Sequence, residues 1–245
     1  MKLQDHFEAT GDWLFKERGK FPLILLPVLL AALRDSEYLE RHYGNAVQTP
    51  WEILCVGISI AGLLMRALTI GWIHEGTSGR NTKGQLAEAL NTDGMYSVVR
   101  HPLYFANFLI ILGFVLFVQV WWFVLIFALS FLIFYERIMF KEESFLERKF
   151  GEAYKKWAER TPLFLPRLRN WKKPSAPFSW KRILKREYST FLGIILGFVS
   201  IKFLAELLGE REFEFRKIWL IFLILGMAVY GALRTLRKKT DWLNA

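Results

Sequence analysis

From Pro102 to Tyr135 the chain runs for about 34 residues almost without interruption by a polar side chain, and no other feature limits its fold so sharply. About 20 mostly apolar residues suffice for a helix to cross a hydrocarbon core roughly 30 Å thick. This run is too long for one crossing and predicts two helices joined by a tight turn near Val118 to Trp122. Pro50 to Ile73, Tyr188 to Leu208 and Ile218 to Leu236 are further runs of spanning length. The apolar residues come in runs rather than at periods of two or 3.6. Phe21 to Leu33 is shorter and holds both Pro22 and Pro27. As a helix it covers only about 20 Å, so it is tilted under neighbours, re-entrant, or extended by Trp13 to Phe15. The predicted fold is all-α: a polytopic transmembrane helical bundle of about six spans, five from the longer runs, with a helical hairpin at its core.

Composition agrees, with 53% of 245 residues apolar, 16% aromatic and a positive mean hydropathy. Charge suggests the orientation. With six spans, 25 of the 33 Lys and Arg fall on one side and five on the other, the rest lying in or at the ends of spans. Basic loops stay cytoplasmic. Both termini and the 137–187 segment, with its fifteen cations, are therefore expected inside. A formal charge of +10 can signal nucleic acid, but here the excess sits beside membrane spans. Anionic headgroups are the nearer partner, so the expected partner is the bilayer, with no nucleic acid. Cys55 is alone, which excludes an internal disulfide, and sits in an apolar span as packing; no metal ligand set is expected. Asp5, Glu8, Asp12 and Glu17 break up the basic n-region that a cleavable signal peptide needs.

Three zones follow along the chain. Residues 1–73 carry the N-terminal runs, 74–170 a polar loop, the hairpin and an amphipathic stretch, and 171–245 a basic interfacial segment with a final pair of spans. Trp171 and Trp180, set among Lys and Arg, suit a membrane interface. The stretch from Glu142 to Arg160 alternates charge, with Phe145, Leu146, Phe150, Tyr154 and Trp157 at helical spacing and Gly151 as an irregularity.

Chemistry concentrates in two places. In Gly94-Met95-Tyr96-Ser97-Val98-Val99-Arg100-His101-Pro102-Leu103-Tyr104 a polar loop meets the start of a buried helix. Pro102 suits a first helical position, where its missing N–H costs nothing. His101 and Tyr104, three apart, share a face. An interfacial anchor has the same Arg-His composition. The second group, Glu136, Arg137, Lys141, Glu142 and Glu143, follows the apolar run of the hairpin's other helix. Ionisable groups there are expensive and usually paired or functional. The hairpin returns both groups to one side of the membrane, and that convergence favours a functional reading.

Together these residues follow an ordered pattern: Gly-x-Tyr-x-x-x-Arg-His-Pro-x-Tyr, a helical hairpin, Glu142-Glu143 with Leu146, Phe150-Gly151 and Tyr154, then Thr161-Pro162 and Pro166. Over roughly residues 86–168 the chain resembles the isoprenylcysteine carboxyl methyltransferases and phospholipid methyltransferases of membranes. The resemblance implies an S-adenosylmethionine-dependent methyltransferase. It places that cofactor near Gly94, Tyr96, Arg100, His101, Pro102, Tyr104, Glu142 and Glu143, at the cytoplasmic face. Carboxylates and aromatic faces suit a ligand carrying an ammonium, a sulfonium and ribose hydroxyls. His101 would hold either the cofactor's carboxylate or its adenine. Ala106 stands where many relatives have Gly, the loop Gly76 to Gln85 is unlike the family's usual segment, and the last two spans lie outside the shared core.

Methyl transfer is an in-line displacement whose main demands are alignment and desolvation. An anionic acceptor needs no base, whereas an amine would need Glu136 or His101 to take its proton. Arg80, Asn81 and Lys83 are the candidate acceptor-binding residues, and Arg137 with Glu136 the candidate catalytic pair. The expected substrate is a membrane lipid or lipidated acceptor bearing a phosphate or carboxylate. The alternatives are a sterol-type membrane reductase using NADPH and a non-catalytic lipid-binding protein.

Overall fold

The computed structural model describes residues 3–36, 38–73, 87–208 and 216–239. Among them the regular elements are helical: α1 (Leu3–Glu17), α2 (Phe21–Ile24), α3 (Leu26–Ala32), α4 (Tyr38–Tyr43), α5 (Asn45–Trp72), α6 (Met95–Val98), α7 (Pro102–Phe117), α8 (Trp121–Phe150), α9 (Glu152–Ala158), α10 (Trp180–Leu208) and α11 (Lys217–Lys239). Four of these, α5, α8, α10 and α11, are long and apolar enough to cross a membrane, and α7 is a shorter apolar helix. The chain is thus a polytopic helical membrane protein.

The first apolar run is two short helices rather than one. Pro27 has no N–H to give the preceding turn, and the chain breaks at Leu25 between α2 and α3. The hairpin turns at 118–120, with Gln119 at φ 65°. A left-handed backbone costs a side-chain-bearing residue roughly 1–2 kcal/mol. Here the Gln119 amide offsets it: Oε1 accepts from the Leu39 N–H at 2.8 Å, and Nε2 donates to Gln48 Oε1 at 2.7 Å. At the other end of the hairpin, α8 continues past Tyr135 through its charged residues to Phe150. Gly151, at φ 52°, ends it and opens α9.

The chain forms two compact units. One comprises Met1–Ile24, Leu68–Phe105 and Ala128–Phe178; the other Leu25–Ala67, Ala106–Phe127 and Ser179–Ala245. The first packs around aromatic rings, with Phe21 against Phe131, Phe134 and Tyr135. In the second, small residues bring α5 and α7 together, as suits helices that associate by close packing in lipid. A Cβ at Gly62 would lie 2.6 Å from the Ala106 carbonyl, and one at Gly113 would meet Ser59 Oγ and lie 2.5 Å from the Cys55 carbonyl. Ser59 Oγ donates to the Ile110 carbonyl across the same seam at 2.8 Å. Gly113→Val should therefore force the helices apart and cost about 1–3 kcal/mol, read as a lower melting temperature in detergent. Gly193→Ala, with open space around the added carbon, should leave it unchanged or slightly raised.

Candidate active site

In the first unit a short loop is laced to the segment after α9. Gly94, at φ 54°, opens α6 in a conformation that disfavours a side chain, and a Cβ there would press on Pro174 Cγ at 3.3 Å. Its N–H donates to the Lys172 carbonyl at 3.0 Å. Ser97 Oγ donates to the Gly94 carbonyl at 2.7 Å and accepts from the Lys172 N–H at 2.9 Å. The Arg167 N–H donates to Val98, and the Arg100 N–H to Pro162, each at 2.9 Å. Trp157 Nε1 donates to the Tyr96 carbonyl at 3.0 Å. The loop is thereby held rigidly up to its junction with α7, where Pro102 is buried at the first helical position. The His101 carbonyl accepts the N–H groups of Tyr104 and Phe105, both at 3.1 Å.

That junction meets α8 in an ionic cluster. Arg100 Nη1 donates to Glu143 Oε1 at 2.8 Å and Oε2 at 2.9 Å. His101 lies between two carboxylates, its Nε2 3.1 Å from Glu143 and its Nδ1 3.3 Å from Glu142. Burial by itself would depress the His101 pKa. The hydrogen bonds and negative charge of Glu142 and Glu143 prevail, and hold it above the ordinary imidazole value. When protonated, His101 donates from both ring nitrogens to the two carboxylates. Its ring stacks on Tyr104, with centroids 5.6 Å apart and planes 18° apart, and Tyr104 in turn contacts Tyr135 at 5.1 Å. Arg100 Nε is buried without a hydrogen-bond partner among the described residues, and the buried Tyr154 hydroxyl lies beside Glu143 and Arg100 without a well-aligned bond. Burial, followed by the charge of Glu143, pushes the Tyr154 pKa up, so it keeps its proton.

Arg100, His101, Tyr104, Glu142 and Glu143 are thus brought together, with Gly94, Tyr96 and Pro102 shaping the loop that carries them. Glu136 and Arg137 stand apart from the cluster. Glu136 is exposed. Arg137 lies on the face of α8 that packs on α1, with Nη1 3.5 Å from Thr10 Oγ1 and its carbonyl beneath Gly11. Lys141, on the same face, pairs with Asp12 at 3.0 Å. Arg80, Asn81 and Lys83 lie outside the described residues. Sequence reasoning does not single out Tyr135. Its signal is its position seven residues before Glu142, on the same helix face.

Residues 53–153, from α5 into α9, match the model of the phospholipid methyltransferase family. The chain is 35% identical over 161 residues to the cobalt-zinc-cadmium resistance protein CzcN of Cupriavidus metallidurans, a match spanning 65% of this chain and 68% of that one. It is 30% identical over 150 residues to the nickel-cobalt-cadmium resistance protein NccN of Alcaligenes xylosoxydans xylosoxydans, spanning 61% of this chain and 64% of that protein's length. No solved structure matches the chain. The chain belongs to the phospholipid methyltransferase family. It is also similar to these two proteins named for metal resistance.

Proposed function

We propose that the chain transfers a methyl group from S-adenosylmethionine to an anionic group on a membrane lipid or lipidated acceptor, at the cytoplasmic face. The observation that carries this is the cluster of Arg100, His101, Glu142 and Glu143 beside the aromatic faces of Tyr104 and Tyr135, inside the region that matches the family model. The donor set fits the cofactor. Arg100 Nε and the Tyr154 hydroxyl are buried donors without a well-aligned bond among the described residues, suited to the amino-acid carboxylate. Glu142 and the aromatic faces suit its cations. When bound, S-adenosylmethionine supplies a methyl group made electrophilic by the attached sulfonium.

The chain's own residues orient and shield rather than move protons. Both ring nitrogens of His101 face carboxylates, so neither is free to take a proton from an acceptor, which disfavours a neutral amine acceptor relying on His101. An acceptor that is already anionic needs no base. Because both relatives are named for resistance to cobalt and cadmium, we assign the modification a role in protecting the envelope against such cations. The site is tested by cofactor binding: Tyr104→Ala, Glu142→Ala and Tyr154→Phe should each weaken S-adenosylmethionine affinity about three- to a hundredfold. Calorimetric titration of the detergent-solubilised protein reads this directly. Wild-type affinity in all three would put the cofactor elsewhere. Methyl transfer from labelled cofactor to total membrane lipids identifies the acceptor.

A further inference from the structure

The last two helices lie outside the stretch that matches the family model, and they carry an arrangement separate from the cluster of Arg100, His101, Glu142 and Glu143. Helices α10 and α11 pack against each other, with Gly226 against the Ile195 side chain. At the end of this hairpin where α10 starts and α11 finishes, the rings of Tyr188 and Tyr230 lie 5.3 Å apart. Each tyrosine holds a guanidinium. Arg237 Nη1 donates to the Tyr188 hydroxyl and Arg234 Nη1 to the Tyr230 hydroxyl, both at 3.0 Å. The guanidinium carbons also lie 5.9 and 5.7 Å from the centres of those rings.

Charge around this platform is one-sided. Residues 180–190 and 230–239 contain eight Lys and Arg and a single carboxylate, Glu187. That carboxylate is buried and occupied by Arg66, which donates to both its oxygens at 2.7 and 2.8 Å. Beside the platform, α11 ends in four exposed cations, Arg234, Arg237, Lys238 and Lys239. A guanidinium keeps donors to spare after one bond to a hydroxyl, and its planar fork matches a phosphate.

We propose that the Tyr188–Tyr230 platform with Arg234 and Arg237 is a binding site for the phosphate headgroup of an anionic phospholipid, distinct from the methyl-transfer site. The helices are membrane spans, so the acyl chains of such a lipid run along their apolar faces while the phosphate meets the two guanidiniums. The tyrosine hydroxyls and rings hold these in place before the lipid arrives, lowering the entropy lost on binding.

The test uses the full-length protein in detergent and short-chain phosphatidic acid, with short-chain phosphatidylcholine and inorganic phosphate as comparisons. Phosphatidic acid should bind and raise the melting temperature; phosphatidylcholine should not. Arg234→Gln with Arg237→Gln should weaken phosphatidic acid about tenfold or more. Lys238→Gln with Lys239→Gln removes the same charge away from the tyrosines and should weaken it less than about threefold. Tyr188→Phe with Tyr230→Phe should fall between. Affinity for S-adenosylmethionine should be unchanged in all of them. Equal losses in the arginine and lysine pairs mean a diffuse basic surface and overturn the site. Inorganic phosphate binding as tightly as phosphatidic acid overturns the assignment to lipid.

Discussion

Arg66→Met is expected to destabilise the protein by about 3–5 kcal/mol. Arg66 lies within α5, and its guanidinium is fully engaged. Nε and Nη2 donate to the two oxygens of Glu187 on α10, and Nη1 to Asn107 Oδ1 on α7 at 2.6 Å. The two charged side chains are only 13% and 5% exposed, so the methionine variant leaves a buried carboxylate without its cation. Removing both charges is a different matter, because a buried ion pair replaced by apolar groups is often close to neutral. Arg66→Met with Glu187→Leu should therefore recover most of the lost stability. Unfolding in one detergent, followed for the wild type, Arg66→Met, Glu187→Leu and the double variant, measures the coupling. If Arg66→Met alone melts like the wild type, the pair does not hold α5, α7 and α10 together.

Glu143→Gln should cost about 1.5–3 kcal/mol and alter how stability depends on pH. Arg100 and Glu143 are 20% and 23% exposed, so water screens part of the loss. The pH effect comes from His101. Its folded pKa is raised above the ordinary imidazole value of 6.5, and the unfolded chain titrates near that ordinary value. The stabilisation from imidazolium between carboxylates is fully present below 6.5 and is lost as pH rises through the higher folded value. Melting temperature should accordingly fall as pH is raised above 6.5. In Glu143→Gln one of the two carboxylates is gone, so the fall should end at a lower pH and be smaller. In His101→Gln the contribution of this group should vanish. A wild-type pH profile in His101→Gln would remove His101 as its source.

Much of the architecture is legible in the order of the residues. Apolar runs longer than a crossing require several membrane helices, and a run near 34 residues requires a bend, which falls at 118–120. The order Arg100-His101-Pro102, a hairpin, then Glu142-Glu143 is sufficient to anticipate that these groups meet, because an antiparallel hairpin returns its two ends to one level. Other features depend on information the chain carries only weakly. Pro22 and Pro27 signal an irregular first run, but where it breaks depends on local backbone bonding. Glu136 and Arg137 follow the apolar run as directly as any residues do, yet the rotation of α8 leaves one exposed and turns the other toward α1.

By itself, then, the sequence determined what is local or averaged over many residues: a helical membrane protein, its hairpin, its excess of cations, and a motif whose spacing identifies its family. Tertiary structure decided which polar groups pair. Arg66 with Glu187, 121 residues apart, Arg100 with Glu143, 43 apart, and Leu39 with Gln119, 80 apart, are matched by the rotation and depth of packed helices. Hydropathy is nearly blind to rotation, because a span surrounded by lipid and protein is apolar on every side. The rotation is chosen by close contacts, such as Gly113 against Ser59 and Gly62 against Ala106, and by the cost of leaving any charge in the membrane without a partner.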